Sequence, residues 1–310
     1  MNIIDKIICG DSIDIMKTID SETIHAIISD IPYGISYEDW DVLHNNSNSA
    51  LGGASNAQLE IGSLFKRRGK PLNGWSEADK KIPLEYQEWC SSWASDWLRV
   101  LKPGASCFVF AGRRYAHRCI VALEDAGFTF KDMLAWEKNA AAAKAQRLSS
   151  IYERRNDIKN YEKWKGWRVA NLRPIFEPIL WFQKPYKIGS TIADNVINND
   201  VGAWNEEAIK KYCINHKDNN FYDNIIKVDV TKYDSGMHVN QKPIKLMELL
   251  ISLVTKENAV ILDPFVGSGT TCVAAKNINR YYIGIDIDEN NVNIANKRLL
   301  DECYQLELDL

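Results

Sequence analysis

Two short stretches of the sequence combine residue types that could do chemistry, and the first is Asp30-Ile31-Pro32-Tyr33. It follows the apolar run HAIIS, so the carboxylate would stand at the end of a strand. A carboxylate there can accept a hydrogen bond from an amine, and a proline-stiffened turn can aim the Ile31 carbonyl at the same amine. A tyrosine ring can stack on a planar group. The stretch therefore predicts binding of an amine on a flat ring, although alone it also fits a plain strand exit with a surface tyrosine.

The second stretch lies between an apolar run and a helical pattern, and it reads Asp263-Pro264-Phe265-Val266-Gly267-Ser268-Gly269-Thr270-Thr271. Glycines at such a turn let backbone amides approach a ligand, and a helix start offers free N–H groups to an anionic group. Asp286 ends the next apolar run, where a carboxylate can accept both hydroxyls of a ribose. Cys272 breaks the full dinucleotide fingerprint. The combination predicts a cofactor that carries a nucleoside.

Apolar runs and helical patterns alternate along most of the chain, which is typical of an α/β sheet. Residues 6–30 predict a strand, a helix and a second strand that delivers Asp30 to the carboxyl edge of a parallel sheet. Residues 86–101 predict a helix with three tryptophans on one face, closed by Lys102-Pro103-Gly104. Further strands are predicted at 105–112, 130–138, 175–184, 259–263 and 281–286.

Two regions do not follow this alternation. Residues from about 41 to 80 are polar and rich in Gly, Asn and Ser, which predicts a long mobile loop. Residues 188–235 have weak periodicity, so substrate recognition is placed either there or in the basic segment described next. Glu177, inside the predicted strand at 175–184, is interpreted as a structural or edge residue.

The net charge of −3 conceals a basic segment. Residues 138–187 contain twelve Lys and Arg against four acids, a net charge of +8 that leaves −11 for the rest of the chain. The same segment carries five aromatic residues that could stack on bases, namely Tyr152, Tyr161, Trp164, Trp167 and Trp181. A second basic cluster contains Lys66, Arg67, Arg68 and Lys70. This mixture suits DNA phosphates and bases, and its alternative is a solvated charged surface.

Composition excludes several other classes. No apolar run approaches the roughly 20 residues of a membrane span, and the start of the sequence lacks the features of a signal peptide. The seven Cys and five His are scattered, with no spacing typical of zinc ligands or of a disulfide framework. We therefore expect a cytoplasmic protein without a membrane segment and without a bound metal.

Four motifs together resemble those of the β group of DNA amino-methyltransferases. Residues 263–271 resemble the FxGxG motif for S-adenosylmethionine (SAM), residues 30–33 resemble the (D/N/S)PP(Y/F) catalytic motif, residues 238–243 resemble the HPTQKP-type segment, and Gly10-Asp11 resembles the GD segment near the SAM adenine. Ile31 and Val239 depart from the usual prolines. Asp30 resembles the adenine N6 enzymes more than the cytosine N4 enzymes, which often carry Ser at that position.

The resemblance implies a Rossmann-like SAM-dependent methyltransferase sheet, mostly parallel with one antiparallel edge strand, with helices on both faces and inserted recognition loops. Residues 1–138 would form the catalytic half, with the mobile loop at about 41–80. Residues 139–237 would carry DNA-recognition insertions around the strand at 175–184. Residues 238–310 would form the SAM-binding half of the same domain.

The activity implied by the resemblance is methyl transfer from SAM to the N6 amine of an adenine flipped out of duplex DNA. Asp30 and the Ile31 carbonyl would accept the two N–H groups, with Pro32 stiffening the turn and Tyr33 stacking on the base. The implied cofactor-binding residues are Asp11, His238, Gln241, Lys242, Asp263, Pro264, Phe265, Gly267, Ser268, Gly269, Thr270, Thr271 and Asp286. The implied DNA-binding residues are Lys66, Arg67, Arg68, Arg154, Arg155 and Lys159.

Three alternatives stay open at this point. The same chemistry could act on cytosine N4, and a degenerate SAM-binding DNA module would keep the motifs without the transfer. A glutamine-modifying protein methyltransferase uses a similar Asn-Pro-Pro-Tyr turn, but Asp30, the motif order and the basic segment disfavour it. Enzymes of the resembled group are often dimers, and some have a companion restriction endonuclease, but no feature of this sequence decides either point.

Overall fold

The computed structural model describes residues 3–33, 77–138, 145–169, 171–215, 222–229 and 241–308, and the side chains of these ranges except those of 77–80 and 302–308. Several predicted features lie outside the described residues. These are most of the loop predicted at about 41–80, the basic residues Lys66, Arg67 and Arg68, and the cofactor-binding residue His238.

The centre of the described structure is a sheet of eight strands in the order β1-β10-β9-β2-β3-β7-β4-β8. The strands are β1 (Lys6–Cys9), β2 (Ile24–Asp30), β3 (Leu101–Phe110), β4 (Thr129–Glu137), β7 (Phe176–Gln183), β8 (Ile225–Ile226), β9 (Val260–Asp263) and β10 (Tyr281–Asp286). A separate antiparallel pair, β5 (Gln146–Arg147) and β6 (Arg168–Val169), lies within the basic segment. The α/β class and the predicted strands are confirmed.

The single antiparallel strand of the large sheet lies inside it, not at its edge. β7 pairs antiparallel with both β3 and β4, in register from Ser106↔Gln183 to Phe110↔Ile179 on one side. The prediction of an antiparallel edge strand is therefore wrong in its position. The reason is that the short strand β8 adds parallel to β4 and forms the edge, a pairing that its two residues do not reveal in the sequence.

Helices cover both faces of this sheet. The helices of the described residues are α1 (Ser12–Met16), α2 (Glu77–Val100), α3 (Ala116–Asp125), α4 (Leu148–Arg154), α5 (Ile158–Lys163), α6 (Ile192–Asn199), α7 (Glu206–Tyr212), α8 (Ile244–Val254), α9 (Thr270–Asn277) and α10 (Glu289–Leu308). Of these, α4 and α5 pack on each other beside the pair β5–β6. Strand side chains alternate between the faces, so Ile27 joins one apolar cluster while Ala26 and Ile28 join the other. The first cluster contains α1, α2 and α3, and the second contains α7, α8 and α9.

Two predicted boundaries around α2 are wrong. The helix begins at Glu77, so residues 77–80 are helical and not part of the predicted loop, and Pro83 lies inside the helix. At the other end, Lys102-Pro103-Gly104 belongs to β3 and does not close the helix. Ile24 pairs with Leu101 and Ala26 with Ser106, so residues 102–105 bulge opposite one residue. Gly104 has a φ of +81°, which permits the bulge.

None of the helices within the described ranges is long and apolar enough to cross a membrane.

Candidate active site

The predicted motifs meet at one edge of the large sheet. The parallel strands β1, β10, β9 and β2 end there at Cys9, Asp286, Asp263 and Asp30. The carboxyl edge of a parallel sheet is where α/β proteins bind ligands. Because β7 runs in the opposite direction, it begins at this edge and brings Glu177 to it.

Asp30 is the centre of a cluster of charged side chains. Lys242 Nζ lies 2.5 Å from Asp30 Oδ2 and 3.1 Å from Glu177 Oε1. The Tyr33 hydroxyl lies 3.0 Å from Asp30 Oδ1 and also donates to Glu177 Oε1, while Lys138 pairs with the other Glu177 oxygen. The Asp30 side chain keeps 29% of its surface exposed, against 7% for Lys242 and 8% for Glu177. The cluster therefore buries its supporting groups and leaves Asp30 accessible.

The protonation states of the cluster follow from its burial and pairing. Burial raises the pKa of Glu177, but Lys242 and Lys138 lower it more, to about 2. Burial lowers the pKa of Lys242, but Asp30 and Glu177 raise it above its usual value. Burial, with the neighbouring carboxylates, raises the pKa of Tyr33, so the phenol keeps its proton. Burial also raises the pKa of Asp30, against the attraction of Lys242.

Glu177 and Lys138 are site residues that the sequence analysis missed. Glu177 is not an edge residue, because β7 lies between β3 and β4, and its carboxylate faces the catalytic motif. One signal was present in the sequence: Glu177 is the single charge in the apolar run IFEPILWF. A charge in a strand that is buried on both faces needs a partner. Lys242 was predicted among the cofactor-binding residues, and the structure places its ammonium on the carboxylate of Asp30.

The backbone of the catalytic motif is fixed from the neighbouring elements. The Tyr86 hydroxyl of α2 donates to the Pro32 carbonyl at 2.9 Å, and the Ile31 side chain is 1% exposed. A Cβ added to Gly112 would lie 3.0 Å from the Tyr33 Cβ, so only glycine leaves room for this ring without displacement. Ile31 therefore anchors the turn in the core by its side chain, whereas the family's usual proline would stiffen the backbone.

Asp263 ends the neighbouring strand β9 and braces the glycine-rich turn. It accepts hydrogen bonds from Ser29 Oγ at 2.6 Å, from Thr271 Oγ1 at 2.6 Å and from the backbone N of Phe265 at 3.1 Å. Burial raises its pKa to about 6, although these donors lower it. All of these donors belong to the protein itself, so the Asp263 carboxylate stabilises the conformation of the turn.

The turn itself has the form of a ligand cradle. Gly267 and Gly269 have φ values of +50° and +86°, and an added Cβ at Gly267 would face open space. An added Cβ at Gly269 would lie 2.7 Å from the Ala295 Cβ of α10. From the same helix, Arg298 donates to the Ser268 carbonyl at 2.7 Å and to Thr270 Oγ1 at 3.1 Å. The turn is thus open on one side and clamped by α10 on the other.

Two further carboxylates stand beside this turn. Asp286 Oδ2 accepts from Gly267 N at 2.9 Å, and Oδ1 accepts from Asp288 N and the Asn291 amide. A carboxylate has about four acceptor positions, so these three donors leave room for one ribose hydroxyl instead of the predicted two. Asp11 caps α1 and is exposed directly after β1, whose Cys9 is in register with Asp286.

These residues fit a nucleoside-bearing cofactor of the SAM type. Gln241 has a buried Oε1 that has no hydrogen-bond partner among the described residues, so it can accept a hydrogen bond from a ligand. Phe265 is partly exposed and packs on Trp89, Trp93 and Trp97 of α2, with ring centroids 5.6–6.2 Å apart. Trp93 and Trp97 belong to the hydrophobic core, Trp89 packs against it, and the three rings support the Phe265 ring.

Between residues 146 and 169 the basic segment forms α4, α5 and the pair β5–β6. Arg154, Arg155 and Lys159 are exposed on these two short helices. Trp167 is 62% exposed and packs against Trp164 at 5.6 Å. Trp181 does not belong to this surface, because it is 8% exposed and donates to Ser106 Oγ inside the sheet.

Solved structures share this fold across nearly the whole chain. The crystal structure of the M1.HpyAVI–SAM complex superposes with a TM-score of 0.53 at 21% identity, over 95% of this chain and 98% of that one. The PvuII DNA methyltransferase, which is cytosine-N4-specific, superposes with a TM-score of 0.57 at 16% identity, over 95% and 86% of the two chains. At these identities the similarity establishes the fold.

Sequence comparison establishes the family. The DNA methylase model for N6 and N4 methyltransferases matches residues 24–297. The type II methyltransferase M.HindIII of Haemophilus influenzae is 63% identical over 296 residues, 96% of this chain and 95% of that protein. M.HpaI of Haemophilus parainfluenzae is 27% identical over 96% of this chain and 74% of its own length. The resemblance seen in the four motifs is confirmed: the chain belongs to the N6/N4 DNA methylase family.

Proposed function

We propose that this DNA methylase transfers a methyl group from SAM to the N6 amine of an adenine flipped out of duplex DNA. The observation that carries the proposal is the accessible carboxylate of Asp30, which stands at the end of β2. β2 pairs in parallel with β9, whose own end leads into the glycine-rich turn. An amine bound by Asp30 would therefore be one strand away from the cofactor.

SAM, when bound, supplies an electrophilic methyl group on sulfur. The residues that would hold it are the turn Gly267–Thr271, Phe265, Asp286, Asp11 and Gln241, with Asp263 and Pro264 shaping the turn. The open side of Gly267 and the unpartnered Gln241 Oε1 support this assignment. The His238 segment would complete the methionine end.

The chain's own contribution to the chemistry is to hold the amine and localise its lone pair. The lone pair of an adenine amine is delocalised into the ring, and hydrogen bonds from both N–H groups to fixed acceptors favour a tetrahedral nitrogen. Asp30 would provide one acceptor and the Ile31 carbonyl the other, with the base against the Tyr33 ring. Pro32 and the buried Ile31 side chain keep these acceptors in place.

Adenine is favoured over cytosine by the identity of residue 30, which is Asp where cytosine N4 enzymes often carry Ser. The acceptor pair itself would serve either exocyclic amine, and one solved relative acts on cytosine N4. The alternative function is therefore cytosine-N4 methylation with the same residues in the same roles.

The DNA contacts are assigned to the region 139–237 and to the basic cluster at Lys66, Arg67 and Arg68. The exposed cations Arg154, Arg155 and Lys159 support this, together with the exposed ring of Trp167. In this division, residues 1–138 provide the catalytic half and residues 238–310 the cofactor half. A homodimer, a companion restriction endonuclease and a cytoplasmic location stay predictions.

Single-molecule sequencing of DNA from a host that expresses the protein tests the proposal. The expected result is a kinetic signature of N6-methyladenine at one recurring sequence, absent from a host without the gene. A kinetic signature of N4-methylcytosine would instead support the alternative function, cytosine-N4 methylation. Unmodified DNA, with an expressed and folded protein, would contradict both.

A further inference from the structure

Both carboxylate oxygens of Asp30 already accept a hydrogen bond, Oδ1 from Tyr33 and Oδ2 from Lys242. Lys242 Nζ lies 2.5 Å from Asp30 Oδ2, and its other two acceptors are Glu177 Oε1 at 3.1 Å and the Tyr33 hydroxyl at 3.2 Å. An ammonium group has three hydrogens, so all three are used. An amine can therefore reach Oδ2 only when Lys242 withdraws from it.

Lys242 has a second position within the cluster that keeps its charge compensated. Glu177 is ionised, because Lys242 and Lys138 outweigh the effect of burial and hold its pKa at about 2. The ammonium also lies 5.2 Å from the ring centroid of Phe110 and 5.6 Å from that of Tyr33, within the range of cation–π attraction. Lys242 can thus leave Asp30 without becoming a buried cation that lacks a partner.

The Tyr33 hydroxyl also links the carboxylates of Asp30 and Glu177. Its hydroxyl has one proton and lies within hydrogen-bond distance of Asp30 Oδ1 and Glu177 Oε1. The proton can be donated to only one of them at a time. When the amine occupies Asp30, donation to Glu177 leaves both Asp30 oxygens available.

We propose that Lys242 is a placeholder for the exocyclic amine of the target base and that Glu177 receives it. In the free enzyme the ammonium holds the Asp30 carboxylate in its acceptor position. When the flipped base arrives, its N–H group replaces Lys242 on Oδ2, and Lys242 stays on Glu177. Both are positioning residues, and the inference rests on the proposed function, since the amine belongs to the base that Asp30 binds.

Glu177→Gln isolates this role because it keeps the shape and removes only the charge. Lys242, which is 7% exposed, would then have Asp30 as its single buried counter-charge. Displacing it would leave a buried cation unpaired, which is costly. The base therefore competes less well for Asp30, whereas contacts to the DNA backbone do not change.

The experiment compares two duplexes that differ only at the target position, which is identified by the sequencing experiment. One duplex carries an unmethylated adenine at that position, and the other carries an abasic site. Affinities are measured with a non-reactive SAM analogue bound. For Glu177→Gln we expect affinity for the adenine duplex to fall by about tenfold to a hundredfold, the range of a charge-assisted hydrogen bond. Affinity for the abasic duplex should not change. An equal loss on both duplexes, or no loss on either, would overturn the proposal.

Two further variants separate positioning from folding. Glu137→Gln is the matched control, because Glu137 ends β4 next to Lys138 and forms a half-buried ion pair with Lys227 at 2.9 Å, separate from Glu177. It should not change the ratio of the two affinities. Lys138→Met removes the other cation from Glu177, which strengthens its hold on Lys242, so the ratio should not fall. A fall with Lys138→Met as large as with Glu177→Gln would indicate a structural cluster and contradict the placeholder.

The wild-type protein separates a failure of the proposed function from a failure of the placeholder role of Lys242. If it places no methyl group on adenine at the mapped site, the proposed function fails. If it methylates adenine while the Glu177→Gln protein discriminates the two duplexes like wild type, only the placeholder role fails.

Discussion

Asp30 and Asp263 end neighbouring strands of one sheet, yet their carboxylates are held in opposite ways. Asp263 accepts from two hydroxyls and a backbone amide, all neutral and all within 3.1 Å. Asp30 is held by the ammonium of Lys242 and the hydroxyl of Tyr33, with 29% of its side chain exposed. The donors at Asp263 are uncharged groups of the neighbouring strand β2 and of the turn that it braces, whereas the main donor at Asp30 is the charged ammonium of Lys242.

The difference indicates what each carboxylate is for. Asp263 is 3% exposed and its carboxylate accepts three neutral hydrogen bonds from its surroundings, so it shapes the glycine-rich turn and is not presented to a ligand. An acid held by an ammonium that has a second counter-charge within reach can exchange that partner for another amine. The comparison therefore predicts that changes at Asp30 affect the chemistry, and that changes at Asp263 affect folding and cofactor binding.

The largest effect is expected from Asp30→Ala. Loss of the acceptor should lower methyl transfer by at least about a hundredfold, the range for removing one group that stabilises a transition state. Cofactor affinity should stay close to that of wild type, because the turn and Asp286 are untouched. Transfer of labelled methyl groups to DNA and calorimetric binding of SAM measure the two quantities. Turnover like that of wild type would contradict the assignment of Asp30.

Asp263→Ala should reverse this pattern. It leaves the hydroxyls of Ser29 and Thr271 and the Phe265 amide without their acceptor, which costs about 3–4 kcal/mol of unfolding free energy at about 1 kcal/mol or more for each donor. Asp30→Ala should cost much less, because Lys242 keeps Glu177 as its counter-charge. Urea unfolding of the two variants gives both values. Equal destabilisation would remove the distinction between the two acids.

The raised pKa of Asp263 sharpens the comparison further. A carboxyl with a pKa of about 6 in the folded protein, against 3.8 normally, binds its proton more tightly when folded. Protonated Asp263 therefore stabilises the folded protein below about pH 4. This contribution to the free energy of unfolding, about 3 kcal/mol in total, is lost as the pH rises through 6. Asp263→Asn should remove this component from the profile of unfolding free energy against pH. A wild-type profile parallel to that of the variant from pH 4 to 7 would contradict the assignment.

The exposed basic segment should show the smallest effect, and one that depends on salt. Arg154, Arg155 and Lys159 lie on the surface of α4 and α5, where charges act on DNA through counterion release. Changing all three to Gln should lower the slope of log affinity against log salt by up to about 3, near 0.9 for each phosphate contact. The same measurement on the Asp30→Ala protein should leave the slope unchanged. An unchanged slope in the triple variant would assign these residues to a solvated surface.

Local patterns in the sequence were sufficient for the seven longer strands of the large sheet, for helices α1, α2 and α9, and for the residues at the strand ends. The acids at positions 30, 263 and 286 each follow a buried apolar run, and the carboxyl ends of parallel strands share one edge. These regularities depend on neighbours within about ten residues, which is why they could be predicted.

The rest depends on pairings across long stretches of chain. Glu177 reaches Tyr33 across 144 residues and Lys242 reaches Asp30 across 212, and the first of these contacts requires β7 to lie antiparallel inside the sheet. No local pattern in the sequence indicates that strand order, so Glu177 was interpreted as a structural or edge residue and its place in the charged cluster was missed. The bulge at residues 102–105 was missed for a similar reason, because Pro-Gly after a helix usually ends the helix and does not continue into a strand.

Mass analysis of nucleosides from DNA methylated in vitro tests the central claim most directly. The wild-type protein with SAM should produce N6-methyladenine as the new nucleoside, and the Asp263→Asn protein should produce the same one. The Asp30→Ala protein should produce essentially none while still binding SAM. N4-methylcytosine from the wild-type protein, or N6-methyladenine at the wild-type rate from Asp30→Ala, would contradict the account.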